Sequence, residues 1–324
     1  MVKHEQFPLS EILYYRIGGV ARFLLEAQKR EDVLEALHFV QANAIDRLVV
    51  VGLGSNLLFP DGPFDGAVLR IATQGTPQIR EMGEGLVQAF AGEELDTVIN
   101  FGFAQGCVGL QWAGGLPGTV GAAVRGNVGA FGGELKDVLD QAEVLTIDGA
   151  GVQLHTLGNQ DLRFSYRDSL IKRDRRLVVL SAIFRLQKAG ERDLAQARQT
   201  YHSNIEYRHR NHPMEYPTCG SVFKNIGRKE EVERILAVWP DLRPSVEGRW
   251  HGKVSMGHII DRFGLSGHQL GGAQISPKHN NFIVNLGDAR ASDVYGLIEM
   301  VKERFFETFG FLPEVEVEIV GQNP

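Results

Sequence analysis

Only two cysteines, Cys107 and Cys219, occur in 324 residues, too few for a disulfide framework or a thiolate metal cluster. No apolar run approaches the roughly 20 residues that span a bilayer. The opening Met-Val-Lys-His-Glu-Gln-Phe has no apolar signal core and carries an early acid, so no export signal is predicted. Basic charge is in deficit: 34 Lys and Arg stand against 40 Asp and Glu, a net charge of −6, which gives no polyanion-binding footprint. Internal repeats and low-complexity tracts are absent. So are Gly-x-x-x-x-Gly-Lys-Ser/Thr, which argues against a P-loop, and Gly-x-Ser-x-Gly, which leaves Ser221 without a hydrolase setting. His202, His209 and His212 are joined by no carboxylate or cysteine pattern suited to a metal. What is left is a cytoplasmic globular chain, long enough for two or three domains.

Glycine, by contrast, is concentrated. Residues 114–133 hold 8 of the 38 glycines, where an even spread would put about two, and each costs conformational entropy on folding. Such a cluster belongs where backbone turns with positive φ or presses against a bound group. Interleaved Leu116, Val120, Val124, Val128 and Phe131 argue against a solvated linker, and Arg125 is the stretch's one charge before residue 134. A wall for a flat or phosphate-bearing cofactor is the expectation.

A second glycine loop, Gly52-Leu53-Gly54-Ser55-Asn56-Leu57, follows a run read as a fully buried strand over 48–51. Leu57 occupies the place of the third Rossmann glycine, and Leu58-Phe59-Pro60-Asp61-Gly62 reads as a turn rather than a helix start. A dinucleotide fingerprint is therefore excluded. A phosphate nest with Ser55 and Asn56 as added donors remains.

Periodicity predicts helices over 30–44, 94–103, 193–208, 228–238 and 256–263, and one running to Phe309 with Ser292 as N-cap and Gly310 as terminator. Strands are expected over 67–71, 86–90, 177–186 and 282–285, with a hairpin from 142–147 through an Asp148-Gly149 turn to 152–155. Residues 313–320 alternate, with Glu314, Glu316 and Glu318 on one face and Val315, Val317 and Ile319 on the other.

Four stretches combine small residues with charge: 164–169, 218–225, 271–282 and the acidic terminal strand. Each has a plain reading: Ser221 as a turn hydroxyl, Arg167 and Asp168 as a surface pair, His279 as a core histidine, the glutamates as a solvent face. Cys219 as a nucleophile stays open, with nothing in the sequence indicating a lowered pKa.

Taken in order, Arg-Ile-Gly-Gly, Gly-x-Gly-Ser-Asn, Gly-Leu-Pro-Gly-Thr-Val-Gly-Ala-Ala, Tyr-Arg-Asp-Ser, Gly-Ser-Val-Phe-Lys-Asn and Gly-Ala-Gln-Ile-Ser-x-x-His-x-Asn-Phe-Ile-Val-Asn resemble the UDP-N-acetylenolpyruvoylglucosamine reductase (MurB) family, from Arg16 to Gly321. The subclass resembled is the shorter one, without the tyrosine-bearing loop insertion. The resemblance implies an α+β protein with an FAD-binding fold of the vanillyl-alcohol oxidase type, in two α+β subdomains, plus a smaller α+β substrate domain. Its implied divisions are 1–71 (with 313–324 a candidate to return to it), 72–210 and 211–312. It implies a cytoplasmic, monomeric flavoenzyme of bacterial peptidoglycan precursor synthesis, with FAD as cofactor, NADPH as co-substrate, a UDP-sugar as substrate, and no metal, nucleic acid or membrane insertion. Carried over, Gly52, Gly54, Ser55, Asn56 and Leu57 resemble the pyrophosphate loop. Gly115, Gly118, Thr119, Gly121 and Ala122 resemble a second flavin loop. Ser221 matches the proton donor, Arg167 the active-site arginine and Glu316 the terminal glutamate, with Glu314 and Glu318 as competitors for that place. Tyr166, Arg208, Lys224 and Asn225 fall where substrate contacts are expected. Two other readings stay compatible: a flavin oxidase acting on a hydroxy acid or alcohol, and a non-catalytic nucleotide-sugar-binding protein.

Overall fold

The computed structural model describes residues 1–148 and 151–321. The chain forms two compact units: the first from Met1–Phe7, Ala21–Leu53 and Phe64–Arg208, the second from Pro8–Val20, Gly54–Pro63 and the chain from His209 onward.

In the first unit, Val2–Pro8, Val20–Ala27, Phe64–Ile71 and Leu48–Val51 form one sheet in that order. The last two pairings are parallel, so a crossover is required, and the helix Arg30–Ala42 supplies it with Val33, Ala36, Leu37 and Val40 buried. Leu48–Val51 has the predicted bounds but lies at the sheet edge, and only Val51 is fully buried. Its apolar run reflects one covered side rather than two.

A second, antiparallel sheet runs Gly151–Gly158, Leu139–Asp148, Leu177–Arg185, Leu86–Phe90, Ile79–Gly83. The predicted hairpin is there; its Asp148-Gly149 turn includes Gly149, which lies outside the described residues. The helix Val120–Gly126, inside the glycine-rich stretch, buries Val120, Ala123 and Val124. Phe131, expected to help bury that stretch, is exposed. The helix Glu191–Asn211 buries Ala197, Tyr201, Asn204 and Arg208, at spacings of three and four. Its inward face is held by polar bonds: Tyr201 donates to Asp96 at 2.6 Å, Asn204 to the Gln111 carbonyl at 3.2 Å, and Arg208 to the Gly114 carbonyl at 3.0 Å.

The second unit is knitted from three pieces of chain. Its sheet runs Thr218–Ser221, Phe282–Asn285, Ala273–Ile275, Gln269–Leu270, all antiparallel, under the helices Lys229–Val238, Met256–Arg262 and Ala291–Phe309. The 8–20 segment is tied in by fully buried Tyr15, whose hydroxyl donates to the Ile283 carbonyl at 3.0 Å. Asn285 in turn donates to the Tyr15 carbonyl at 3.2 Å.

Two terminal expectations are corrected. The 313–320 alternation does not make one strand: Val315 bridges Phe223, and then Glu318–Ile319 pairs in parallel with Leu57–Leu58. A change of partner midway interrupts the ladder, and alternation alone carries no information about partners. Ser292 is not the N-cap; the helix begins at Ala291 after Arg290. Its first amides, those of Ala291 and Ser292, donate to the Asp61 carboxylate at 2.6 and 3.0 Å. A carboxylate 230 positions away thus does the work of a local cap and favours the positive helix end. Asp61→Ala should lower stability by about 1 kcal/mol, read as a lower urea midpoint with an unchanged slope.

Candidate active site

In the first unit Gly52 meets the glycine-rich stretch. A Cβ on Gly52 would overlap the Thr119 side chain, so only glycine lets the end of the Leu48–Val51 strand lie against it. A Cβ on Gly121 would lie 3.1 Å from the Ala91 Cβ, and the Gly121 and Val120 amides donate to the Ala91 and Glu93 carbonyls at 2.9 and 2.8 Å. Those two amides serve the fold, and Gly121 serves close approach. Gly118 differs: its carbonyl accepts from Leu95 at 3.0 Å, yet a Cβ there would meet no protein atom within 4 Å. Among the described residues, neither the Gly118 nor the Thr119 amide meets a protein acceptor, although Thr119 is 2% exposed. Buried N–H groups require an acceptor. Open backbone at a glycine beside such donors fits a flavin nucleotide. Ala122 is exposed on the helix that follows.

The same unit builds a pair of cations. Ser165 and Asp168 exchange backbone hydrogen bonds at 3.0 and 3.2 Å, leaving Tyr166 and Arg167 as the centre of a tight turn. Arg167 takes φ 58°, a left-handed conformation that costs a non-glycine residue on the order of 1 kcal/mol. The turn is held at its base by Asn127, which donates to the Ser165 carbonyl at 2.9 Å, and by Lys172, which donates to the Arg167 carbonyl at 3.0 Å. Buried Arg208 passes over Gly115, whose φ is 71° and where a Cβ would lie 3.2 Å from the Arg208 Cδ. Burial, and secondarily the Arg167 charge, bring Arg208 down to about 10. Its Nη2 is buried without a hydrogen-bond partner among the described residues. Two neighbouring guanidiniums, one desolvated, raise each other's cost until an anion joins them.

The second unit assembles the hydroxyl and the carboxyl. Gly220, at φ 80°, leads into Ser221, which stands opposite Phe282. The next residue, Val222, accepts the Glu316 amide at 2.8 Å on its carbonyl, so Ser221 and Glu316 belong to adjoining lines of backbone. Asn56 donates its side-chain amide to the Glu316 carbonyl at 3.2 Å and accepts from the Glu318 amide at 3.1 Å, and Leu57 pairs with Glu318. Gly54, at φ 69°, leads into Ser55 and this join. Of the competing glutamates, Glu314 is the ion-pair partner of Lys224. Asn225 accepts the Met256 amide at 3.1 Å, capping a helix. Cys219 is fully buried and burial pushes its thiol up to about 12, so it is no nucleophile. Nothing in the composition of 218–225 could have shown that burial.

Comparison with known proteins gives these features a class. Residues 21–155 match the FAD binding domain family, and residues 212–320 match the C-terminal domain of UDP-N-acetylenolpyruvoylglucosamine reductase. The chain is thus an FAD-dependent oxidoreductase with an FAD-binding fold of the vanillyl-alcohol oxidase type. It is 36% identical over 315 residues to the UDP-N-acetylenolpyruvoylglucosamine reductase of Caldicellulosiruptor saccharolyticus, covering 97% of this chain and 91% of that one. It is 35% identical over 316 residues to the enzyme of that name from Listeria monocytogenes, covering 98% and 94%. The crystal structure of the MurB reductase from Thermus caldophilus superposes with a TM-score of 0.72 at 27% identity, covering 98% of each chain. The chain belongs to the UDP-N-acetylenolpyruvoylglucosamine reductase family.

The two loop glycines separate by experiment. Gly118→Val should purify with under about a tenth of the flavin absorbance, while its melting temperature stays within about 3 °C of the flavin-stripped parent, because the new side chain displaces cofactor and no protein atom. Gly52→Val should lower the apoprotein's melting temperature by more than about 5 °C through its collision with Thr119.

Proposed function

We propose that the chain reduces the enolpyruvyl ether of UDP-N-acetylglucosamine enolpyruvate to UDP-N-acetylmuramate, with NADPH as the source of electrons, in the peptidoglycan precursor synthesis that supports cell-wall biogenesis, cell shape and division. The proposal includes a cytoplasmic monomer and the three-part division 1–71, 72–210 and 211–312. The names of its relatives support the substrate, and the join of Ser221 to Glu316 through Val222 is the observation that carries the chemistry.

FAD, when bound, supplies a hydride equivalent replenished from NADPH. Gly52, Gly54, Ser55, Asn56 and Leu57 would line its pyrophosphate. Gly115, Gly118, Thr119, Gly121 and Ala122 would form the second loop, with the Gly118 and Thr119 amides as donors and Gly121 as the close contact. Hydride addition at the substrate's terminal methylene leaves negative charge on the neighbouring carbon and its carboxylate. A planar guanidinium matches that charge, which is the role assigned to Arg167. The strained turn that fixes Arg167 spares it reorganisation during reaction. Arg208 would take a further substrate anion, and Tyr166, Lys224 and Asn225 would orient the sugar nucleotide.

Ser221 would give its proton to the carbon. An unperturbed hydroxyl is a poor acid, so a nearby cation must stabilise the alkoxide, and Lys224 and Arg167 are the candidates. Glu316 would hold the network in place and must be protonated or charge-balanced, since a bare carboxylate facing an enolate raises the barrier. Ser221→Ala should keep FAD and be bleached by NADPH at the parent rate, while reoxidation by the UDP-sugar slows by about 10²-fold or more. Parental reoxidation in stopped-flow would remove Ser221 from proton transfer.

A further inference from the structure

Resting on the assignment of Ser221 as proton donor, we propose that Asn281 is the positioning residue that sets the Ser221 hydroxyl against Glu316. It touches no reacting atom in this proposal; it acts through the backbone that follows Ser221.

Asn281 is 4% exposed, and three of its hydrogen bonds converge on Val222 and Phe223. Its carbonyl accepts the Val222 amide at 2.8 Å. Its side-chain Oδ1 accepts the Phe223 amide at 3.0 Å, and its Nδ2 donates to the Phe223 carbonyl at 2.8 Å. The side chain therefore behaves as an extra peptide group, pairing with both polar groups of one residue where regular pairing stops. That stop is visible in the register, which shifts between Thr218 and Ser221 and ends at Ser221 opposite Phe282.

The other side of the same two residues belongs to the glutamate segment. The Val222 carbonyl accepts the Glu316 amide at 2.8 Å, and Phe223 bridges Val315. Val222-Phe223 is thus a narrow ribbon with Asn281 on one edge and Glu316 on the other. Releasing the Asn281 edge lets the ribbon shift, and with it the distance from hydroxyl to carboxyl. Asn281 is itself braced: its amide donates to His279 Nδ1 at 3.3 Å, and the His279 ring packs 4.8 Å from Phe282 and 5.2 Å from His212. Of the protein side chains, asparagine and glutamine alone offer an amide's donor and acceptor together, and glutamine is one methylene too long for this span. Aspartate keeps the acceptor for Phe223 N–H but sets a carboxylate oxygen against the Phe223 carbonyl.

The test uses the FAD-loaded protein and follows flavin absorbance through each half-reaction in Asn281→Ala, Asn281→Asp, Ser221→Ala and the Ser221→Ala/Asn281→Ala double variant. Bleaching by NADPH should stay within about twofold of the parent in all four. Reoxidation by the enolpyruvyl UDP-sugar should slow by about 10²-fold in Asn281→Ala, the scale expected when a reacting group is misplaced by about 1 Å. In the Ser221→Ala background, Asn281→Ala should slow it less than about twofold further, because the two residues then act as one unit. A structural role alone would instead add its loss to that of Ser221→Ala. Should Asn281→Ala lose flavin or fail to fold, Asn281→Asp carries the same expectation of slowed reoxidation with parental bleaching. Multiplicative losses in the double variant, equal slowing of both half-reactions, or parental reoxidation in the folded Asn281 variants would overturn the proposal. Parental reoxidation in Ser221→Ala alone would overturn the assignment beneath it instead.

Discussion

The contact of Gly52 with Thr119 is the constraint on which the cofactor site depends. A strand can end against another loop only where a side chain is missing, and a Cβ at residue 52 would occupy the place of the Thr119 side chain. That approach brings the end of the Leu48–Val51 strand against the glycine-rich stretch beyond residue 113. The same loop then spends its neighbouring amides differently. Val120 and Gly121 bond back to Glu93 and Ala91, while the Gly118 and Thr119 amides meet no protein acceptor among the described residues. A dense glycine cluster therefore has two jobs here: some positions let protein pack on protein, and Gly118 leaves backbone bare.

Charge is arranged by the same economy. The first unit desolvates Arg208 beside Arg167, lowering Arg208 to about 10, at a cost that an anion would relieve. In the second unit a backbone hydrogen bond joins Glu316 to Val222, the residue after Ser221, Asn56 bonds to the Glu316 carbonyl, and Lys224 is already shared with Glu314. Cations suited to an anionic substrate sit on one unit and an acid-and-hydroxyl ribbon on the other, each held by local geometry.

Much of this was legible in the sequence where the signal is local. The strands Leu48–Val51, Leu86–Phe90 and Phe282–Asn285 have the predicted bounds, because short apolar runs flanked by polar and glycine residues leave little choice of register. Gly310 ends its helix as expected, and does so in the left-handed conformation. What was not legible is long-range. Asp61 replaces Ser292 as the cap because a segment inserted from residues 54–63 reaches the helix start. The alternating glutamates change partners between Val315 and Glu318. The burial of the helix predicted over 193–208 carries no apolar stripe in the sequence, because its buried face is largely polar, through Tyr201, Asn204 and Arg208. Asn281 stands in a family motif and Asn127 does not, but nothing local shows that each bonds to backbone far away in sequence. The residues that hold the motif positions in place emerge only from hydrogen bonds.

The central claim is that two loops hold a flavin that this chain's own side chains connect to an enolpyruvyl UDP-sugar. An anaerobic absorbance spectrum of the purified protein tests it most directly, recorded before NADPH, after NADPH, and after the UDP-sugar. The account predicts a yellow protein that bleaches with NADPH and regains its colour on adding the sugar nucleotide. A colourless protein, or one that stays bleached until oxygen is admitted, would contradict it.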